Sequence, residues 1–163
     1  MTSNTNNSKD VDFSVDDKAL IEALGNLSYK KMVSTYNKAL KKALQPLLKQ
    51  ARTNLRRTGI KNVGKPYKSK KTGKQYKSML QGIKISTDAR DAENAYGKVH
   101  ILGDFRLKWW ELGTGYRYTN NGKFRGAIQP RRFFKPAVDQ KGKECMDSLD
   151  ETVKKEIQKI WDK

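Results

Sequence analysis

Val33, Tyr36, Leu40, Leu44, Leu47, Ala51 and Leu55 recur at steps of three or four residues. That is the period of one helix face, and it predicts a helix from about Ser28 to Arg57. Pro46 falls inside it. A proline lacks the amide that would bond to the carbonyl four residues back, and its ring crowds that carbonyl, so the helix should kink or break near Lys42–Gln45. On another face Lys38, Lys41 or Lys42, Lys49, Arg52 and Arg56 form a cationic rail. Upstream, residues 1–12 read as a disordered polar tail. Ser14 then reads as the N-cap of a short helix, with Asp16 and Asp17 in its first turn, Ala19, Leu20, Ala23 and Leu24 on its apolar face and Gly25-Asn26 at its end.

The period changes beyond residue 57. Residues 58–77, broken by glycines and Pro66, read as a long, mobile, basic loop. Alternation then takes over, as in strands. Ile83 and Ile85 alternate with Lys84 and Ser86; Val99 and Ile101 with His100 and Leu102; Phe105, Leu107 and Trp109 with Arg106, Lys108 and Trp110. Gly103-Asp104 between the last two runs predicts a tight hairpin turn. A strand through Trp109-Trp110 would point the two indoles to opposite faces. Asn120-Asn121-Gly122, flanked by Tyr116, Tyr118 and Phe124, predicts a small hairpin arm. Pro136 suits the first turn of a last helix with Val138, Cys145, Leu149, Val153, Ile157 and Ile160 or Trp161 on its apolar face. On that helix Asp147, Asp150, Glu151 and Glu156 lie within reach of Lys143, Lys154, Lys155 and Lys159.

The expected fold is α+β: an antiparallel sheet of three to five strands packed against a long N-terminal helix and a C-terminal helix. The chain has 163 residues, which suits a single domain over 13–163 behind the polar tail. No apolar run reaches the roughly 18–20 residues that span a bilayer, and the N-terminus is polar, so the expectation is a soluble protein of a reducing cytoplasm.

Charge sharpens this picture. The formal net charge is +18, and between Glu22 and Asp88 there is no acidic residue. Seventeen cations crowd that stretch. A field of this sign draws polyanions or acidic proteins. Lys65, Lys68, Lys70, Lys71, Lys74 and Lys77 of the basic loop are the candidate contacts, and Tyr67 and Tyr76 among them suit stacking on single-stranded bases, or anchor the two ends of the loop. The run Lys68-Ser69-Lys70-Lys71-Thr72-Gly73-Lys74 lacks the leading glycine and the feeding strand of a phosphate-binding loop. Cys145 is the one cysteine and His100 the one histidine, so the chain can make no disulfide within itself, and neither a Cys-rich zinc site nor a metal cofactor is expected. His100 has no nucleophile motif beside it, and it reads as a strand residue on the less buried face.

Four short motifs follow in order: Leu44-Gln45-Pro46-Leu47-Leu48 with Ala51-Arg52; Thr72-Gly73; Trp110-Glu111-Leu112-Gly113-Thr114; and Gln129-Pro130-Arg131-Arg132-Phe133-Phe134-Lys135-Pro136-Ala137. In this order, over roughly residues 30–160, the chain resembles the tail-completion, or head–tail joining, proteins of long-tailed (siphovirus-type) bacteriophages. It departs from their pattern in lacking a proline shortly before Thr72-Gly73. The resemblance implies a structural virion protein without catalysis or cofactor. Such a protein is a connector subunit of a ring, usually of six, at the phage neck, assembled in the bacterial host cytoplasm. Its implied partners are its own copies, the tail-tube and neck or stopper proteins, and the DNA passing through the channel. On this resemblance Trp110, Glu111, Gly113, Thr114, Arg131, Phe133 and Phe134 are interface or structural residues. Glu111 is expected to pair with Arg131 or Arg132, and Phe133 and Phe134 to anchor the approach to the last helix. The alternatives from the residues alone are a stand-alone, non-sequence-specific nucleic-acid-binding protein and, further off, a small nuclease using scattered carboxylates.

Overall fold

The computed structural model describes residues 12–16, 29–70, 72–90 and 96–161; for 12–16, Ile157, Ile160 and Trp161 it defines the backbone alone. The expected tail up to residue 11, most of the short helix expected from Ser14, and Lys71 lie outside the described residues.

The fold is α+β. Strand β1 (Asp12–Asp16) comes first, then helices α1 (Tyr29–Ala43) and α2 (Gln45–Arg57). The ribbon β2 (Tyr67–Lys68) and β3 (Gln75–Tyr76) leads through a 3-10 turn, Met79–Gly82, to β4 (Lys84–Asp88) and β5 (Tyr96–His100). Helices α3 (Phe105–Leu112) and α4 (Phe134–Trp161) complete the chain.

The helix expected over 28–57 is present and breaks where Pro46 demands. Leu44 stays in the helical region at φ −84° and ψ −5°. The bonds from Leu44 N to Leu40 O and from Leu48 N to Leu44 O, both 3.1 Å, carry the ladder across the break. Pro46 therefore removes one bond without separating the two halves. Their shared stripe is the core. Tyr36, Leu40, Leu44, Leu47, Ala51 and Leu55 are buried and pack with Phe133, Phe134, Ala137, Cys145, Leu149 and Val153 of α4 and its approach. Each large side chain so buried contributes about 1.5–3 kcal/mol. Burial also pushes the Cys145 thiol up from its ordinary pKa.

The sheet lies on α1. Strands β4 and β5 pair antiparallel with Ile85 opposite Val99, and β1 runs antiparallel along the other edge of β5, Asp12 opposite His100. The backbone comes close to the helix at Gly97, where a Cβ would meet Leu44 Cδ1 at 3.0 Å and Leu40 Cδ2 at 3.1 Å. The strands do not form one broad sheet, since β2 and β3 pair only with each other.

Three local expectations are overturned. Asp12–Asp16 is a strand, so Ser14 caps no helix there. Phe105–Leu112 is a helix instead of a strand. Gly103-Asp104 is its entry rather than a hairpin turn: the Asp104 carboxylate accepts from Arg106 N at 3.0 Å and caps α3. The Trp109-Trp110 pair accordingly does not straddle a sheet. Trp110 packs on the core and Trp109 faces out.

Candidate functional site: a capped joint, an arm and an aromatic ladder

Helix α4 starts without a capping side chain of its own, because Phe133 before it has no oxygen to offer. Its first amides are satisfied from α3. Glu111 is buried, and its carboxylate accepts from Phe134 N at 2.8 Å and Lys135 N at 3.0 Å. A carboxylate suits this place because free amides and the positive end of the helix dipole meet there. The expected pairing of Glu111 with Arg131 or Arg132 is replaced by these backbone bonds. The Arg131 amide donates instead to Trp110 O at 2.7 Å, and Arg131 and Arg132 are exposed.

Gly113 ends α3 at φ +76° and ψ −175°, a conformation that is almost glycine's alone. A Cβ there would lie 2.9 Å from Ile128 O and 3.0 Å from Pro130 Cδ. Thr114 then clasps Ile128 twice, donating its amide to Ile128 O at 2.9 Å and accepting from Ile128 N through Oγ1 at 3.0 Å. Asn54 Nδ2 donates to Phe133 O at 3.1 Å. Phe133 and Phe134 are fully buried, which is an anchoring role. The motifs at 110–114 and 129–137 thus form one joint.

The chain between them leaves as the expected arm. Arg117 and Gly126, Arg125 and Arg117, and Thr119 and Lys123 are joined by backbone bonds of 2.7–2.9 Å, and Tyr118 bridges Phe124. Gly122 closes the tip at φ +72°, donating to Thr119 O at 2.9 Å. Tyr116, Tyr118 and Phe124 cluster on the arm, with ring centroids 5.5–5.6 Å apart, and are 60–76% exposed. Arg117, Lys123 and Arg125 flank them, all exposed.

The basic loop also has structure. Tyr67 pairs in register with Tyr76, so the two tyrosines do fasten the ends of the tip between them. Ser69 N bonds to Lys74 O and Gly73 N to Ser69 O, both at 2.9 Å. The 3-10 turn then seats the ribbon against α3. At Gly82 a Cβ would lie 2.6 Å from Asp104 Cβ, and at Gly103 one would lie 2.6 Å from Gly82 O, so both glycines permit close approach. Arg52 of the expected cationic rail is withdrawn into this seat, where it donates to Leu80 O and Ile83 O at 2.9 Å.

The result is a row of four rings. Tyr67 lies 6.1 Å from Tyr76, Tyr76 5.9 Å from Phe105, and Phe105 5.1 Å from Trp109. Tyr67, Phe105 and Trp109 are 42–50% exposed. Arg106 sits over Tyr67 at 5.3 Å and Lys74 over Tyr76 at 5.5 Å. The Asp104 carboxylate is spent on Arg106, 2.5 Å away, and it holds the guanidinium in its charged form. Lys65, Lys68, Lys70, Lys74 and Lys77 are exposed around the ladder's ribbon end. Phe105 and Trp109 were not candidates from sequence, because a strand groups them on one face with Leu107, whereas the helix turns Leu107 into the core and leaves the two rings outside.

His100 is half-buried in β5, with Nε2 2.9 Å from Ser86 Oγ across the strands. Among the described residues no three of His, Cys, Asp and Glu gather as a metal site requires, and no helix is long and apolar enough to cross a membrane. Comparison with protein-family models, curated proteins and solved structures finds no match to this chain.

Proposed function

We propose that this chain is a structural virion protein, a ring-forming tail-completion or head–tail connector subunit of a bacteriophage neck. It joins tail tube to head and surrounds the channel through which DNA leaves. The observation that carries the reading is the joint at Glu111, Gly113 and Thr114. The two motifs on which the resemblance rests most heavily meet there, and they extrude the chain between them as an arm with exposed aromatic rings. Tyrosine and phenylalanine are enriched where protein surfaces meet. In a ring the arm of one subunit lies on the body of the next, a head-to-tail contact that closes on itself.

The test is assembly. The purified chain, alone or with tail-tube and stopper proteins, forms rings visible by negative-stain electron microscopy and weighed by mass photometry. The triple variant Tyr116→Ser, Tyr118→Ser, Phe124→Ser keeps its thermal unfolding transition, because none of the three belongs to the core, and stays monomeric. A native chain that remains monomeric with no affinity for tube or stopper overturns the proposal.

A further inference from the structure

The aromatic ladder is built from two parts of the chain that nothing but the fold brings together: the tyrosines of the β2–β3 ribbon and the outer face of α3. Its rings are wet and its rim is cationic. A polyanion alone would explain the lysines but not the exposed rings. An apolar protein surface would explain the rings but not the charge. The two features together suit a ligand carrying phosphates and flat apolar faces side by side.

We infer that the ladder of Tyr67, Tyr76, Phe105 and Trp109 binds single-stranded nucleic acid. Phe105 and Trp109 offer their faces to unstacked bases. Lys74, held over Tyr76, meets the backbone phosphates, with Lys65, Lys68, Lys70 and Lys77 extending the track, while Arg106, paired with Asp104, braces the Tyr67 ring. Beside Tyr76 a cleft of about 160 Å³, lined by Ser78, Gln81 and Lys84 among others, offers polar groups to a base edge. Duplex DNA satisfies the lysines equally well but hides its base faces in the stack, so it uses only half of the surface. Nothing in a row of rings and cations reads the sugar 2′-hydroxyl, so DNA and RNA strands bind alike. This contact needs no ring of subunits and stands apart from the neck proposal.

The experiment uses the full-length chain and fluorescein-labelled oligo(dT), oligo(rU) and a duplex with the same number of phosphates, read by fluorescence anisotropy at fixed salt. The two single strands bind within about threefold of each other and at least about tenfold more tightly than the duplex. The variant Phe105→Ala, Trp109→Ala loses at least about tenfold for single strands and little for the duplex. Should that variant unfold, Lys70→Gln, Lys74→Gln at exposed positions serves in its place: it lowers the slope of log affinity against log salt by about 1.4. Tyr116→Ala on the arm leaves both unchanged. The inference is overturned if duplex binds as well as single strand, if polyglutamate displaces oligo(dT) as readily as unlabelled oligo(dT) does, or if the ring variant folds and binds like the native chain. Oligomeric state, weighed on the same samples, reports on the neck proposal separately.

Discussion

At the scale of single residues, Glu111 shows what charge reasoning from sequence overlooks. An acid near two arginines invites an ion pair, yet the carboxylate goes to two backbone amides, groups every residue but proline possesses and no sequence displays. A signal existed. Arg131, Arg132 and Phe133 precede the last helix with no serine, threonine, asparagine or aspartate at its mouth, so its free amides had to borrow an acceptor. Replacing Glu111 by alanine removes two charge-assisted bonds and leaves buried amides unmet, so Glu111→Ala should lower stability by about 2–4 kcal/mol, measured by urea denaturation. Gly113 was marked from sequence only by its place in the motif at 110–114, and its contact with Ile128 and Pro130 was not legible. Gly113→Ala meets both a forbidden backbone region and a carbonyl at 2.9 Å and should cost at least about 2–3 kcal/mol in the same assay. A loss under about 0.5 kcal/mol in either variant would mean that the joint yields and holds nothing in place.

At the scale of elements, the long helices were readable and the short one was not. Seven apolar residues at steps of three and four leave no alternative to a helix over 29–57, and Pro46 marks its break from sequence alone. Phe105–Leu112 spans only two turns, and there a period of two and a period of 3.6 match about equally well. Asp104 settles it by capping, a role that Gly103-Asp104 as a hairpin turn conceals. The α1–α4 packing raises a further prediction. Glu156 of α4 bonds to Lys42, at the end of α1 that Pro46 interrupts, and to Lys159 at 3.0 Å. Those ammonium groups, Lys42 first, hold the Glu156 carboxyl below the ordinary value of 4.5. A pKa depressed by folding stabilises the fold above the unfolded value and loses that contribution as pH falls through the folded one. Glu156→Gln should therefore be less stable than the native chain near neutral pH, by under about 1 kcal/mol because both lysines are exposed. The gap should close as pH falls below 4.5 and shrink in high salt. A gap that widens in acid would show that Glu156 opposes the packing of the two helices.

At the scale of the whole molecule, the α+β class was legible because two long amphipathic helices enclose a stretch of alternation. The ladder was not, because it joins a loop to a helix that had been read as a strand. Charge decides how such a molecule assembles. Each chain carries +18, so six in the proposed ring would gather roughly a hundred positive charges. The Debye length is about 8 Å at physiological salt, so neighbouring subunits of such a ring would feel this repulsion across their contacts. Two associations then answer salt with opposite sign. Nucleic acid bound at the proposed ladder would bind through counterion release and weaken as salt rises. The proposed rings, held by arm aromatics, would be opposed by repulsion, which salt screens, and they should strengthen. Protein stripped of nucleic acid should therefore shift from monomer towards ring in sedimentation velocity as sodium chloride rises from about 0.05 M to about 0.5 M. At the lower concentration a stoichiometric polyanion should replace the salt. Rings that fall apart on adding salt, with no polyanion present, would mean that ion pairs close the contact between subunits; the exposed rings of the arm would then belong to some other surface.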